Sequence, residues 1–233
     1  MENHKVAVVT GASRGLGAVF ARVLAQEGFA VALGARDVPA IERLAAGLPV
    51  PTLTHPLDVG DSGSVWEFRD AVLGRFGRVD ALVNNAGIGI FWRLEEISAE
   101  DFALTFRVNV QGTWAVTMAF LQELKAARGQ VFMISSDVST RTFPTGGPYT
   151  ASKFALRALT RTLQQENPEL RVLELRPGAT DTSFAGSTPG APGKEWFLRP
   201  ETVAETVRFA LRLPLEARLE ELVIRSTGQT PEY

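Results

Sequence analysis

Short runs rich in valine, leucine and isoleucine recur along the 233-residue chain at positions 6–9, 30–35, 52–57, 79–83, 130–135, 171–176 and 222–224. Each is shorter than an ordinary helix and carries β-branched residues, so all seven are predicted as strands. Between them, at 18–27, 41–46, 64–76 and 151–165, apolar residues return every three or four positions, the period that lays one apolar stripe along a helix. Residues 99–127 read as one further helix, with Asn109 and Gly112 inside it although helix propensity favours neither. Strands alternating with helices imply parallel pairing through right-handed crossovers, and near-continuously apolar strands imply cover on both faces. The predicted fold is α/β and doubly wound: a seven-stranded, mainly parallel sheet with helices on both faces, in one domain over residues 1–233. In such sheets ligands bind beyond the carboxyl ends of the strands, where strand order reverses, so the residues just after each run are the candidates for chemistry.

Composition narrows the function classes. Hydrophobic residues make up 45% and charged residues 21%, which allows a sizeable core and argues against wholesale disorder. Lysine and arginine number 24 against 26 acids, without a basic block, so no nucleic-acid partner is expected. With no cysteine there is no disulfide, thiol nucleophile or thiolate metal site, and no metal is expected. Glycines and Arg14 interrupt the first apolar run, and no run reaches membrane-spanning length. The expectation is a cytoplasmic protein with no membrane partner.

Directly after the run 6–9 the chain reads Thr10-Gly11-Ala12-Ser13-Arg14-Gly15-Leu16-Gly17, and a helical pattern follows. A strand that breaks into glycines before a helix leaves bare backbone N–H groups at the positive helix end, a place for phosphate. Glycine also lets a pyrophosphate approach the main chain. The spacing is GxxxGxG rather than GxGxxG, and short glycine motifs also serve as plain strand-to-helix turns. Run 30–35 ends in Gly34-Ala35-Arg36, where a nucleotide-binding sheet meets the adenosine ribose. A carboxylate there suits a free 2′-hydroxyl and an arginine suits a 2′-phosphate, so Arg36, with Arg14 as a second cation, favours NADP(H) over NAD(H). Asp37 stands one step off, and both arginines also read as solvated surface residues. Asp58, after run 52–57, suits either the adenine amino group or the cap of the next helix.

Asn84-Asn85-Ala86-Gly87 follows the fourth run; its paired amides can bridge neighbouring loops while the small residues admit a ligand. The fifth run ends at Ser135-Ser136, with Tyr149 thirteen residues beyond Ser136 and Lys153 four beyond that. A spacing of four puts phenol and ammonium on one helix face, where the cation lowers the phenol from its usual pKa of about 10. A tyrosine so tuned can transfer protons, and the serine hydroxyl can hold a substrate oxygen beside it. The same spacing also occurs on ordinary amphipathic surfaces.

Taken together, TGASRGLG, NNAG, Asn109 in NVQG, ISS, YTASK and RPG stand in the order and spacing of the short-chain dehydrogenase/reductase family, and the chain resembles its single-domain, Rossmann-type, NADP-preferring form. The resemblance runs from Lys5 to about Thr182, and 204–211 and 222–224 look like the family's last helix and strand. It implies an oxidoreductase acting on a small-molecule ketone or aldehyde, or on the alcohol in reverse, with NADP(H). By that resemblance Tyr149 is general acid in reduction and base in oxidation. Lys153 binds the nicotinamide ribose and lowers the tyrosine's pKa, Ser136 positions the substrate oxygen, and Asn109 supports a water in a proton relay. The implied cofactor contacts are Gly11, Ser13, Arg14, Gly15, Leu16 and Gly17 in the glycine loop, and Arg36, Asp58, Val59, Asn85, Ala86 and Gly87 towards the adenine side. Tyr149, Lys153, Pro177, Gly178, Thr180 and Thr182 complete them towards the nicotinamide. Two other readings use the same residues: a 3-oxoacyl thioester reductase, and a nucleotide-binding regulatory protein without catalysis.

Residues 183–198, with Pro189, Pro192 and three glycines, have little helical character and suggest a mobile substrate lid. Phe91, Trp92, Phe143, Phe184, Trp196 and Phe197 either wall an apolar pocket for a hydrophobic carbonyl compound or serve as core and subunit contacts. The family commonly forms homotetramers or homodimers, for which Phe154, Leu156 and Leu159 are interface candidates.

Overall fold

An apolar strand with no polar face is stable only with layers on both sides, and that is how the strands are arranged. In the computed structural model, which describes residues 4–229, seven strands form one sheet: β1 (Val6–Thr10), β2 (Ala30–Ala35), β3 (Thr52–Pro56), β4 (Ala81–Asn84), β5 (Gln130–Ile134), β6 (Arg171–Pro177) and β7 (Glu221–Ile224). Their order is β3-β2-β1-β4-β5-β6-β7 and every pairing is parallel. Strand order reverses between β1 and β4, so a crevice opens at their carboxyl ends. All seven predicted strands are present, with ends shifted by no more than two residues.

Side chains alternate across the sheet, and each face has its own core. Val9, Val31 and Leu33 pack beneath helices α1 (Gly15–Gln26), α2 (Val38–Ala46) and α7 (Pro200–Arg212), meeting Phe20, Ile41 and Val207. Val8, Ala32 and Leu82 face α3 (Ser62–Phe76), α5 (Thr113–Ala127) and α6 (Gly147–Glu166), meeting Phe68, Phe120 and Leu156. Leu156 is thus core and not an interface candidate, whereas Phe154 and Leu159 on the same helix are partly exposed.

The helix starts follow their sequences. Asp37 accepts from Ala40 N at 3.1 Å and caps α2, Asp61 accepts from Gly63 N at 2.8 Å and caps α3, and Ser98 accepts from Asp101 N at 3.0 Å and caps α4 (Ala99–Phe106). The cap of α3 is therefore Asp61, not Asp58. Helix α1 has neither a side-chain cap nor an acid in its first turn, so its leading N–H groups face the crevice undressed.

The predicted helix 99–127 is interrupted. Between α4 and α5 lies a π-helical turn, Arg107–Gly112. Here the helix passes so close to the loop after β3 that a Cβ on Gly112 would stand 2.7 Å from the Val59 carbonyl oxygen. The wider turn carries Asn109 into the interior, where it is buried. Residues 183–198 contain only one short 3₁₀ turn, Phe184–Gly186, matching the low helical character expected. Among the described residues no helix is long and apolar enough to cross a membrane.

At the far sheet edge, Glu221 on β7 meets Arg157 and Arg161 of α6 and Arg176 of β6. The Arg157 guanidinium holds its carboxyl down at about 2 against an ordinary 4.5, with Arg176 adding to the effect. A depressed carboxylate contributes stability that is fully present above its ordinary value and is lost as pH falls through the folded value. We expect Glu221→Gln to lower the neutral-pH melting temperature and to flatten its decline between pH 4.5 and about 2, read by circular dichroism at each pH; an unchanged acid limb would remove Glu221 from that account.

Candidate active site

Glycines build the crevice floor because the chain must turn and two loops must touch. Gly11 has φ +64° and Gly15 φ +55°, left-handed values that favour glycine. The Asn85 side-chain amide donates to the Thr10 and Gly11 carbonyls at 3.0 and 3.1 Å. Thr10 Oγ1 accepts in return from the Asn85 and Ala86 N–H groups, both at 3.0 Å. Thr10 is a site-forming residue that sequence reasoning passed over; its place beside the glycines was the available signal. Asn84 turns the other way, into the core, donating to Thr117 Oγ1 at 2.8 Å. Ser13 and Leu16 are half-buried along the loop and Gly87 packs by the Asn109 side chain.

Beyond β2 and β3, Arg36 and Asp58 line a cavity of about 420 Å³ together with Gly60, Leu104, Arg107 and Val108. Val59 is buried beneath Gly112 and contributes no wall to it. Asp58 Oδ1 accepts from Gly60 N at 2.9 Å, which holds its loop open towards the cavity. Arg14 and Arg36 are exposed, neither side chain paired with an acid among the described residues. Asp37, the alternative ribose acid, is occupied as the cap of α2.

On the other side of the crevice, α6 delivers Tyr149 and Lys153 to the end of β5. Lys153 is buried and its Nζ donates to the Ile134 carbonyl at 3.0 Å, standing 5.6 Å from the centre of the Tyr149 ring. Ser136, the second residue of the loop after β5, lies by the phenol. Burial pushes the phenol up to about 12, Ser136 moderating and Asp137 reinforcing the rise. Burial pushes the Lys153 ammonium down to about 8, against the pull of Glu174. The lowering of the tyrosine expected from its lysine does not appear: desolvation raises the phenol and lowers the ammonium.

Asn109 Oδ1 accepts from Ile88 N at 2.8 Å, while its Nδ2 donates to the Ile88 carbonyl at 2.9 Å and to Ser152 Oγ at 3.0 Å. Ser152 Oγ donates to the Tyr149 carbonyl at 2.6 Å, so the π turn, the loop after β4 and the tyrosine's own turn are joined. Pro177 ends β6, and Gly178, Thr180 and Thr182 carry the chain back over the crevice. Thr182 packs on Gly15, where an added Cβ would lie 3.3 Å from the threonine Cβ.

Of the six aromatic residues, three gather at the phenol. Phe91 and Phe184 stand 5.3 and 5.7 Å from Tyr149 between ring centres, and Phe143 stands 5.8 Å from Phe91. A Cβ on Gly89 would meet Phe184 at 2.6 Å and Phe91 at 2.7 Å, so that glycine admits the cluster. Trp196 and Phe197 pair with each other instead, and Trp92 is exposed.

A family model described as short chain dehydrogenase matches residues 5–191, and the chain belongs to that family of oxidoreductases. An alcohol dehydrogenase from the archaeon Thermococcus sibiricus, solved in complex with 5-hydroxy-NADP, is 50% identical with a TM-score of 0.95, over 99% of this chain and 100% of that one. A metagenomic short-chain oxidoreductase in complex with NADP is 30% identical with a TM-score of 0.82, covering 97% and 98%. Glycine betaine reductase ATRR of Emericella nidulans is 36% identical over 234 residues, 94% of this chain but 18% of that protein, so this chain spans less than a fifth of that relative. The likeness to chains solved with such cofactors, together with the uncapped start of α1, supports a nicotinamide cofactor in the crevice.

Gly17 lies where α1 meets the glycine loop, and a Cβ there would stand 2.3 Å from the Gly11 carbonyl oxygen and 2.6 Å from Asn85 Nδ2. Gly17→Ala is expected to cost about 1–3 kcal/mol of stability by overpacking and to weaken cofactor binding; an unshifted thermal melt would show that the loop yields without strain.

Proposed function

We propose that this protein is an NADP(H)-dependent reductase of ketones or aldehydes, reversible as an alcohol dehydrogenase, with Tyr149 as the group that exchanges the proton. The observation that carries this reading is the convergence of the Tyr149 phenol, Ser136 and buried Lys153 at the carboxyl end of β5, beside the crevice that opens between β1 and β4. The nicotinamide, when bound, supplies or accepts the hydride.

The chain's own residues do the rest. Backbone N–H groups at the start of α1 meet the pyrophosphate, with Ser13, Gly15, Leu16 and Gly17 framing it. Arg14 and Arg36, unpaired with acids among the described residues, take the 2′-phosphate, and the cavity flanked by Asp58 receives the adenine, past Asn85, Ala86 and Gly87. Lys153, Pro177, Gly178, Thr180 and Thr182 hold the nicotinamide end. Ser136 and Tyr149 grip the substrate oxygen, and with a phenol near 12 the proton is in place for donation throughout neutral pH. Oxidation of the alcohol needs that proton removed, so its rate rises with pH. Phe91, Phe143 and Phe184 exclude water and select apolar carbonyl compounds. Segment 183–198, which carries Phe184, acts as the lid, and the partly exposed Phe154 and Leu159 serve a homotetramer or homodimer.

Tyr149→Phe is expected to bind NADPH as the wild type does and to lose about 10²–10⁴-fold in kcat across a panel of ketones and aldehydes; undiminished turnover would end the proton-transfer reading. With NADPH bound and no carbonyl reduced by the wild type, a non-catalytic binding protein becomes the better account. In fluorescence titrations Arg36→Ala should raise the NADPH Kd about tenfold or more while leaving NADH binding unchanged. Equal wild-type affinity for the two cofactors would overturn the arginine argument.

A further inference from the structure

A carboxylate taken out of water must be met by donors, so a buried acid marks a place where the fold has gathered them. Asp137, directly after Ser136, is 3% exposed. Its Oδ2 accepts from Arg141 Nη2 at 2.7 Å, from Arg225 Nε at 3.2 Å and from Gln229 Nε2 at 2.7 Å. Its Oδ1 accepts from Ser136 Oγ at 3.3 Å. Arg225 and Gln229 stand 88 and 92 residues away in sequence, on the segment that follows β7.

That segment, 225–229, also touches two further loops beside the candidate active site. A Cβ on Gly178 would lie 2.4 Å from Gln229 Oε1 and 3.2 Å from Arg225 Cγ, and a Cβ on Gly228 would lie 2.6 Å from the Trp196 Cβ. One short stretch of chain thus rests against the serine loop, the loop after β6 and the 183–198 segment. From below, Arg176 of β6 donates to the Ser136 and Asp137 carbonyls at 3.4 and 3.3 Å.

We propose that Asp137 is a positioning residue: anchored by Arg225 and Gln229, it orients the Ser136 hydroxyl and sets the electrostatic field at the Tyr149 phenol. The proposal rests on the reading of Ser136 and Tyr149 given above. A serine hydroxyl has one proton and can rotate it: in the free site Asp137 Oδ1 accepts it and holds the hydroxyl in place, and a carbonyl oxygen entering between Ser136 and Tyr149 takes that hydrogen bond over. The charge of Asp137 opposes formation of a phenolate, and Arg141 and Arg225 offset that charge. Of the other charged groups, Lys153 on the same helix stands 5.6 Å from the ring centre, Glu174 on β6 acts on Lys153, and Arg176 reaches the Ser136 and Asp137 carbonyls; the segments that bring Phe91 and Phe184 set rings against the phenol.

The chain has two tyrosines, Tyr149 and Tyr233. The tyrosinate absorbance of each full-length variant, less that of its Tyr149→Phe counterpart, therefore follows Tyr149 without any substrate. Asp137→Asn should move this titration down by roughly one pH unit, and Arg225→Met should move it up by a smaller amount. Opposite shifts are what a field predicts; a brace without electrostatic effect would leave both curves on the wild type, and that result, or shifts of the same sign, would overturn the proposal. Should Asp137→Asn fail to fold, Arg225→Met decides alone, an upward shift supporting the proposal and an unmoved curve rejecting it. Retained carbonyl reduction in Tyr149→Phe would instead defeat the underlying reading, whichever way the absorbance curves fall.

Discussion

Parallel strands oblige the chain to cross back to the starting edge of the sheet after every strand, and this constraint decides where chemistry can occur. Each return is made by a helix, so every loop at the carboxyl edge leaves a strand and enters a helix, while the opposite edge only closes the circuit. Thr10, Arg36, Asp58, Asn85, Ser136 and Gly178 come from six different strands and still open on one edge. Between β1 and β4 the order reverses, the two loops diverge, and Asn85 spans the gap to the glycine loop with a pair of hydrogen bonds.

At the centre of that edge, burial and charge oppose each other. Desolvation resists the phenolate of Tyr149 and the ammonium of Lys153 together, raising one and lowering the other. Two groups meant to share charge are thus kept closer to neutral than their spacing on α6 would suggest. A site in that condition responds strongly to any charge brought beside it, because interactions in a poorly solvated crevice are weakly screened.

The polar interior behind the serine loop extends the same theme. Glu174 is fully buried on β6 and pairs with Arg157 at 2.8 Å, and Arg157 also meets Glu221 at 2.9 Å. Arg176 joins Glu221 and reaches the Ser136 and Asp137 carbonyls. Alternating charges therefore run from α6 through β6 and β7 to the loop that carries the serine. Removing one member of such a chain leaves another charge buried without a partner, which costs more than the pair contributes.

Local signals were enough for the strands, for the presence of most helices and for the glycine loop, because periodicity and glycine conformations act over a few neighbouring residues; several helix starts lay earlier than the apolar period showed, since polar and glycine residues open the first turns. The order of the catalytic-type residues along the chain was likewise legible, since TGASRGLG, NNAG, ISS and YTASK each sit at a strand end or on a helix. Local signals did not reveal the π turn at Asn109, which ends where Gly112 passes close to Val59, nor the burial of Leu156 on a helix face that leaves Phe154 and Leu159 exposed. They misjudged the Tyr149–Lys153 pair because spacing reports proximity and not desolvation. They were silent on Asp137, whose partners lie 88 and 92 residues away. Sequence alone determined which residues would stand at the sheet's carboxyl edge; tertiary structure decided how dry that edge is and which distant charges face it, because solvent exclusion and long-range contacts belong to the packed chain and not to any segment of it.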